Sequence, residues 1–450
     1  MKREVYDAII IGAGPAGLSV GSELSKKHKI LVLDKKTKVN HTTKSWFVPK
    51  FTYENNKDLK KFMYGDIKRM LTNTFTGKKN TWKTNLKQGY SFIKEKELLD
   101  YWGDVITKNE SKILLKCSYK SHELTKKLIL VKTSLGNFNC KLLIDASGHN
   151  SKILKKYKKN DKDLYWWSIF GCLAEHPRKI KNMKIGDYML WATFKSTNNS
   201  KSTPLAKGRP IFEYEILDER TSFPLILYLK KSKVPYKKMK EEFVRLLRKE
   251  KTTKNFHDVN VNEWKYGWYP SGGLSQKIAE DRVAFIGDAA CWTTPCGWGM
   301  GFILQNYKIY ARQLGKAIRK DTLDKENLIK IIKLNVHEKH EILFNQITMH
   351  FLSNATTQQV DKFIKFFNSL DFLICEKLFT LTINKKELQK VLKDFLDNFS
   401  LIELMNILPP EDYLLVLEEA SYFIEDSIIN NMKELLGKKN EINKKGFEFK

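Results

Sequence analysis

The sequence predicts an α/β chain in which a parallel, doubly wound sheet is split by an inserted antiparallel sheet and followed by a C-terminal helical region. Three observations carry this. Short apolar runs, Ala8–Ile11, Ile30–Leu33, Leu142–Ile144 and Val283–Ile286, each end at a glycine or an acid and have the character of strands buried on both faces. Between the third and the fourth, residues from about Tyr165 to Tyr269 are rich in aromatic and β-branched types separated by polar turns, as antiparallel strands are. From about Asp321 to Leu436 the apolar residues recur at helical spacing, as in KFIKFFNSLDFLICEKLF.

The elements follow in order. Asp7 to Ile11 is the first buried strand, Gly12 to Gly17 a tight turn, Leu18 to Lys27 a helix, and Ile30 to Leu33 a second strand closing on Asp34. From Val39 to about Tyr90 the pattern is polar and irregular, with HTTKSWFVPKF as its most distinctive stretch. Alternating segments follow at Ile113–Ser118 and Lys127–Thr133, then a turn at Leu135–Asn137 and a buried strand ending in Asp145, Ala146, Ser147 and Gly148. Ser196–Lys207, rich in Asn, Ser, Thr and Lys, reads as a long loop. After the strand at Val283–Ile286 comes a helix over Gly301–Ile318. The domain reading is therefore 1–164 and 276–320 for the two parts of the parallel-sheet unit, 165–275 for the inserted sheet, and 321–450 for the helical region.

A formal charge of +29 raises the question of nucleic acid, but 70 of the 80 basic residues are Lys and 10 are Arg. Lysine lacks the planar fork that reads phosphates and bases, and the lysines are spread along the whole chain beside Asn and Ile. We read this as compositional bias, with attraction to an anionic membrane surface or an acidic substrate as the alternative, and expect no nucleic-acid partner. No apolar stretch reaches the length that spans a bilayer, so any membrane contact is expected to be peripheral. Met1–Asp7 reads as a short charged lead, and the six cysteines show no CxxC or zinc spacing, so a reduced cytoplasmic setting is expected.

Chemistry concentrates in two glycine-rich segments. DAIIIGAGPAG places Gly12, Gly14 and Gly17 in G-x-G-x-x-G spacing between a buried strand and a helix, with Asp34 at the end of the next strand, 22 positions after Gly12. This is what a dinucleotide's pyrophosphate requires: a tight turn, a backbone bare of side chains, close helix packing and a helix N-terminus supplying N–H groups. Asp34 is placed to accept from ribose hydroxyls. Far downstream, EDRVAFIGDAACWTTPCGWGMGF repeats the logic with Gly287–Asp288, Pro295, Gly297, Gly299 and Gly301; the acid suits a ribityl hydroxyl and the turn can aim N–H groups at a flavin's pyrimidine edge.

These two segments, in this order, resemble the flavoprotein family that contains p-hydroxybenzoate hydroxylase, geranylgeranyl reductases and lycopene cyclases. The resemblance implies a glutathione-reductase-like FAD-binding Rossmann domain, and FAD as the cofactor. Reading and resemblance together assign FAD to Gly12, Ala13, Gly14, Pro15, Ala16 and Gly17, to Asp34 and Lys35, to Gly148, and to Gly287, Asp288, Pro295, Gly297, Gly299, Met300 and Gly301. LLIDASGHNS is similar to the family's strand-end element beneath the first turn, and WWSIFGCLAEHP with GDYMLWATF is similar to lycopene cyclases. The acidic stretch of those cyclases is replaced by PLILYLKK, with Lys230 and Lys231, and the family's cofactor-contacting arginine is missing from YSFIKEKELL, where Lys94 or Lys96 could substitute.

The implied activity is that of an FAD-dependent oxidoreductase, geranylgeranyl reductase-like, on a hydrophobic isoprenoid substrate. It would draw electrons from an external donor: nicotinamide, a ferredoxin or a flavin reductase. A lycopene cyclase-like enzyme using reduced FAD without net redox change, or a flavin monooxygenase or halogenase, is the alternative; for the halogenase, Lys78 and Lys79 occupy a loosely similar early position, but the WxWxIP stretch is absent. The candidate pocket has no recognisable carboxylate pair, so no catalytic acid or base is assigned. Cys291 and Cys296 read as packing residues rather than a redox pair, Trp292 and Trp298 as core or pocket wall, His149 as a turn histidine, and His337 with His340 as a solvated helix face rather than a metal site.

Overall fold

The chain enters through β1 (Val5–Ile11), turns into α1 (Pro15–Leu24) and returns through β2 (Ile30–Leu33). Every residue of β2 and the last four of β1 are buried, as a strand covered on both faces requires. Helix α1 begins at Pro15, ahead of the expected Leu18, because proline at the first helical position loses no hydrogen bond and has its φ already set. In the computed structural model the described residues are 4–333 except 55, 68, 74–78, 83–88, 126, 154–164, 177–182, 192–209, 272–277 and 291–298, together with 385–399 and scattered positions from 359 to 403.

Downstream lie β3 (Phe47–Pro49), the short α2 (Lys57–Lys60), β4 (Arg69–Asn73), β5 (Lys79–Trp82), β6 (Tyr90–Phe92) and α3 (Glu95–Lys108), then β7 (Lys112–Leu114), β8 (Tyr119–Leu124), β9 (Ile129–Thr133) and β10 (Gly136–Asp145). The strand expected over Ile113–Ser118 stops at Leu114. Lys116 takes a φ of 54°, and the amides of Lys116 and Cys117 bond back to the carbonyls of Lys36 and Asp34, wrapping the end of β2.

The first sheet runs β10–β1–β2–β7 in parallel. The chain returns to its other side through β16 (Ala279–Glu280) and β17 (Val283–Phe285), with β17 parallel to β10. Strands β8 and β9 extend the antiparallel side of β10. Its core of Ile, Leu and Val side chains is fully buried, each contributing about 1.5–3 kcal/mol over exposure.

The inserted sheet is built from β11 (Tyr165–Glu175), β12 (Asp187–Trp191), β13 (Ile211–Ile216), β14 (Thr221–Lys230) and β15 (Asn260–Ser271). Its order is β15–β11–β14–β13–β12–β4–β5, antiparallel at every junction except β12 with β4. Two of its seven strands thus come from residues 69–82, a stretch whose sequence pattern is irregular. Between β14 and β15 the chain forms α4 (Tyr236–Lys249), an element the strand-like reading of 165–269 did not contain. Its Met239, Phe243, Leu246 and Leu247 fall on one helical face and bury against Phe170 and Phe212 on one side of the sheet.

After the return strand comes α5 (Gly299–Lys320), two residues longer at each end than expected, and then α6 (Lys325–Ile332). The α6 N-terminus is capped by Asp324, which accepts from the Asn327 amide. Of the helical region, α7 (Lys385–Asn398) is described, opened by a capping box between Asn384 and Glu387.

Candidate functional site

Three strand ends meet at one edge of the parallel sheet. The Ala146 amide donates to the Ile11 carbonyl at 2.9 Å, and the Ile286 amide donates to the Asp145 carbonyl at 2.9 Å. The turns after β1, β10 and β17 are thereby stacked at the carboxyl ends of parallel strands, where open α/β sheets bind ligands. Gly12, Gly148 and Gly287, each expected in the site from sequence, are brought together here.

The first turn is packed as the motif demands. A Cβ on Gly12 would lie 2.5 Å from the Ala146 carbonyl oxygen, and one on Gly17 would lie 2.0 Å from the Gly12 carbonyl oxygen. Gly14 differs: a Cβ there meets nothing within 4 Å, and its backbone, φ −94° and ψ −177°, is open to any residue. Gly14 is therefore bare for what lies outside the protein. Helix α1 starts immediately after it, with no side chain capping its N-terminus and no acid in its first turn. A pyrophosphate fits such a cradle, since the orphan amides and the positive helix end both favour an anion.

Asp34, buried at 8% exposure, closes the turn from behind. One carboxylate oxygen accepts from the Ala13 amide at 2.6 Å and the other from the Lys36 amide at 2.8 Å. Lys36, not the exposed Lys35, folds back on the turn and donates its ammonium to the Ala13 carbonyl at 3.0 Å. Burial lowers the Lys36 pKa, offset in part by Asp34 beside it. Asp145, absent from the sequence-derived set, is wholly buried and binds the Ser147 amide and hydroxyl and the Ser151 hydroxyl, fixing the loop that carries Gly148. Burial raises its pKa against those hydrogen bonds.

Gly287, at φ 63°, approaches helix α1 so closely that a Cβ would sit 2.7 Å from that of Ala16. The downstream segment is thus seated directly on the first turn. Gly299, Met300 and Gly301 open α5, and Gly301 faces Thr52 and Pro49 at the end of β3. Pro295, Gly297, Cys291, Cys296, Trp292 and Trp298 lie outside the described residues, as do His337, His340 and Lys78.

Lys44, from the HTTKSW stretch, is a site residue the sequence did not single out. Its ammonium lies 3.3 Å from Asp288 Oδ2 and 4.3 Å from the centre of the Tyr269 ring. Lys96 is instead paired with Glu263 at 2.9 Å, and Lys94 lies over Tyr64. Lys230 and Lys231 stand at the far end of β14, with Lys231 over Tyr165. His149 packs edge-on against Trp166.

The second face of the inserted sheet packs against the β3–β6 pair. Glu213 and Glu215 on β13 share that face with Tyr188, Phe223 and Leu225, their cross-strand neighbours, while Phe212, Tyr214 and Ile216 point the other way. Phe47, Tyr90 and Phe92 of the β3–β6 pair pack on the same face, with Phe47 stacked on Tyr90 at 5.0 Å and on Tyr188 at 5.9 Å. The two acids are buried side by side on this face. In the sequence FEYEI the two acids have the spacing of solvent-facing positions on an alternating strand, and the structure buries both. Burial pushes Glu213 up to about 7 against a Tyr188 hydrogen bond, and burial beside Glu213 pushes Glu215 well above the usual carboxylate range.

Stacked strand ends, a bare Gly14 before a helix N-terminus, and a second glycine–acid segment seated on the first form a cradle that fits a dinucleotide. Residues 9–160 match the pyridine nucleotide-disulphide oxidoreductase family. No curated protein sequence matches the chain. Among solved structures, a geranylgeranyl bacteriochlorophyll reductase-like protein from Thermoplasma acidophilum is similar at TM-score 0.68 and 14% identity, over 90% of this chain and all of that one. The halogenase PltM, in complex with phloroglucinol and FAD, is similar at TM-score 0.58 and 14% identity, over 96% of each chain. PqsL from Pseudomonas aeruginosa, described as a probable FAD-dependent monooxygenase, is similar at TM-score 0.56 and 12% identity, over 80% of this chain and all of that one. At these identities the likenesses define the fold. The family match covers the part of the chain that carries the first glycine turn and Asp34. Among the described residues no helix is long and apolar enough to cross a membrane.

Proposed function

We propose that the protein is a reductase of an apolar, isoprenoid substrate, geranylgeranyl reductase-like in reaction. The observation that supports this reading is an aromatic face, Tyr188 and Phe223 of the inserted sheet packed with Phe47, Tyr90 and Phe92 of the β3–β6 pair, whose Pro49 end meets Gly301. Such a face suits a long hydrocarbon, with little to hold a polar aromatic acid. FAD would lie on Gly14 and the α1 N-terminus, with Asp34 toward the ribose and Asp288 toward the ribityl chain; Gly299–Gly301 would meet the ring. When bound and reduced, it supplies a hydride. The protein's own part is to align an alkene and exclude water. Electrons come from an external donor such as nicotinamide, a ferredoxin or a flavin reductase.

A second reading is a cyclase that uses reduced FAD without net redox change. Against it stands the missing acidic stretch, in whose place PLILYLKK carries Lys230 and Lys231. One assay separates the two. The reconstituted enzyme is reduced with dithionite and given lycopene or geranylgeranyl lipids, and product masses are recorded with the flavin spectrum. A reductase product gains two hydrogens per double bond as the flavin reoxidises. An isomeric ring product with the flavin still reduced would overturn the reductase reading in favour of the cyclase.

A further inference from the structure

We propose that the lysines of residues 230–240 form a docking surface for an anionic membrane, held against the headgroup layer by charge alone. The inference goes beyond the reductase reading and does not rest on it.

The placement of the lysines carries it. Residues 230–240, KKSKVPYKKMK, hold six lysines and no acid. At the chain's own ratio of 70 lysines and 51 acids in 450 residues, a stretch of that length carries about two lysines and one acid. Other surface lysines stand beside acids, as Lys26 does with Glu23, Lys29 with Glu4 and Lys132 with Glu123. Lys230, Lys231, Lys237, Lys238 and Lys240 form no ion pair among the described residues. Of the two acids that follow them, Glu242 is held by Arg245 at 2.8 Å, and Glu241 pairs with none of the five. Compositional bias explains how many lysines the chain has, but not this arrangement.

The fold gathers the run into one patch. Lys230 ends β14, Lys231 and Lys233 follow it, and Lys237, Lys238 and Lys240 open α4. The Lys238 charge adds to burial in lowering the Lys230 pKa, so the strand end and the helix start are neighbours. Lys231 lies over Tyr165 at 5.9 Å, Lys233 over Trp166 at 4.2 Å and Lys240 over Trp264 at 5.3 Å. Lys231, Lys237 and Lys238 are exposed. Lys233 also donates to Asn150 Oδ1 at 3.2 Å, in the loop that carries Gly148, and the exposed Lys152 follows in that loop. Leu229, Trp167 and Tyr269 are in register across the sheet, so the patch begins two strand spacings, about 10 Å, from the ring that Lys44 covers.

Such a patch suits phosphates spread over a fluid surface. Lysine is a mobile point charge, and the run contains no arginine, whose fork fixes a single phosphate or base. Basic residues clustered on an amphipathic helix bind anionic lipid in this way. A specific acidic protein would instead be held by buried aromatic or arginine anchors. Tyr165 is 2% exposed, and Tyr236, at 37%, is the ring that stands clear. Helix α4 has no apolar face left to insert, because Met239, Phe243, Leu246 and Leu247 are buried against the sheet. The contact is therefore flat, electrostatic and weakened by salt.

The test sediments the FAD-loaded protein with vesicles of equal parts phosphatidylglycerol and phosphatidylcholine, and with phosphatidylcholine alone. Wild type should bind the first in about 0.1 M salt, release in about 0.5 M, and leave the second untouched. Each lysine at an anionic surface strengthens binding about fivefold, so Lys231→Gln, Lys237→Gln and Lys238→Gln combined should weaken it about 100-fold. A matched variant carries Lys108→Gln, Lys120→Gln and Lys316→Gln, at exposed positions on α3, β8 and α5. It loses the same charge and should stay within about threefold of wild type. Melting temperatures of both variants should match wild type, since all six side chains are exposed. Equal losses in the two variants would show that net charge, and not this patch, binds the vesicle, and would overturn the proposal. So would wild type that ignores the phosphatidylglycerol vesicles or binds both kinds alike. Retention on an immobilised acidic ferredoxin, lost in the first variant and with no vesicle binding, would assign the patch to a protein partner and overturn the lipid reading.

Discussion

The Lys44 ammonium sits 3.3 Å from Asp288 Oδ2, joining residues 244 positions apart beside Gly287 of the second glycine segment. Lys44 also covers the Tyr269 ring, so it is held by two elements, one on each side of the site. Both partners are partly exposed, at 27% and 22%, which keeps the pair's own contribution near the low end, about 1 kcal/mol. Its consequence is for binding: if Asp288 meets the flavin's ribityl chain, Lys44 sets the charge and direction of that carboxylate. Lys44→Met and Asp288→Asn should each weaken FAD, and a double-mutant cycle on the dissociation constants should give a coupling of about 0.5–2 kcal/mol. Additive effects would place Lys44 outside the cofactor's neighbourhood.

Gly14 and Gly17 should separate binding from folding. A Cβ at Gly14 meets nothing within 4 Å, so Gly14→Val should fold with a melting temperature close to that of the wild-type apoprotein and still fail to bind FAD. A Cβ at Gly17 meets the Gly12 carbonyl oxygen at 2.0 Å, so Gly17→Ala should destabilise the apoprotein itself by about 1–3 kcal/mol. Fluorescence titration with FAD and thermal melts of the apoproteins check both. Near-normal FAD affinity in Gly14→Val would mean that the turn does not cradle the pyrophosphate.

What the sequence made legible follows from how local each signal is. The turn at Gly12–Gly17 and the strand ending at Asp34 were readable because a phosphate-binding turn writes its glycines at fixed spacing between buried strands. Asp145 was hidden because its partners, Ser147 and Ser151, look like ordinary loop residues until the loop folds over the carboxylate. Lys44 was invisible among 70 lysines, since its meaning depends on a partner far away in sequence. Strands β4 and β5 carry no clean alternation, and they find their place by pairing at the far edge of the inserted sheet beyond β12. Glu213 and Glu215 look like surface positions of an alternating strand; only the β3–β6 pair packing above them turns that face inward.

The carboxyl pair should tilt stability against pH. Burial raises Glu213 from an ordinary 4.5 to about 7 in the folded chain, with Glu215, Tyr188 and Tyr90 as its titratable neighbours. Between those values the folded state binds the proton more tightly than the unfolded chain. The associated stability is fully present below about pH 4.5 and is lost as pH rises through about 7. Glu213→Gln cannot ionise and escapes this loss, so relative to wild type it should gain on the order of 2–4 kcal/mol between pH 5 and pH 8. Melting temperatures of both proteins across that range report the difference, and a constant offset would show that Glu213 titrates as an ordinary exposed acid.

The two units are also joined by a buried ion pair whose removal should be costly in one form and mild in another. Glu95 opens helix α3 in the cofactor unit, and Lys265 projects from β15 of the inserted sheet; their charged atoms are in direct contact, with side chains 4% and 3% exposed. Glu263 adds a second carboxylate 3.2 Å from the same ammonium. Burial raises the Glu95 pKa even though Lys265 pulls it down, so desolvation outweighs the attraction of the ammonium. A pair in that balance stabilises little in itself, but either member left alone is an unpaired group in an apolar layer. Lys265→Met should therefore lower stability by about 3–5 kcal/mol, while Glu95→Leu combined with Lys265→Met should recover most of that loss, because the two apolar side chains need no partner. Denaturant unfolding of the FAD-loaded proteins, with the flavin signal reporting the cofactor unit and aromatic fluorescence the inserted sheet, measures both. Equal losses in the single and double variants would mean that the pair contributes a true net attraction, and that the contact between α3 and β15 depends on it.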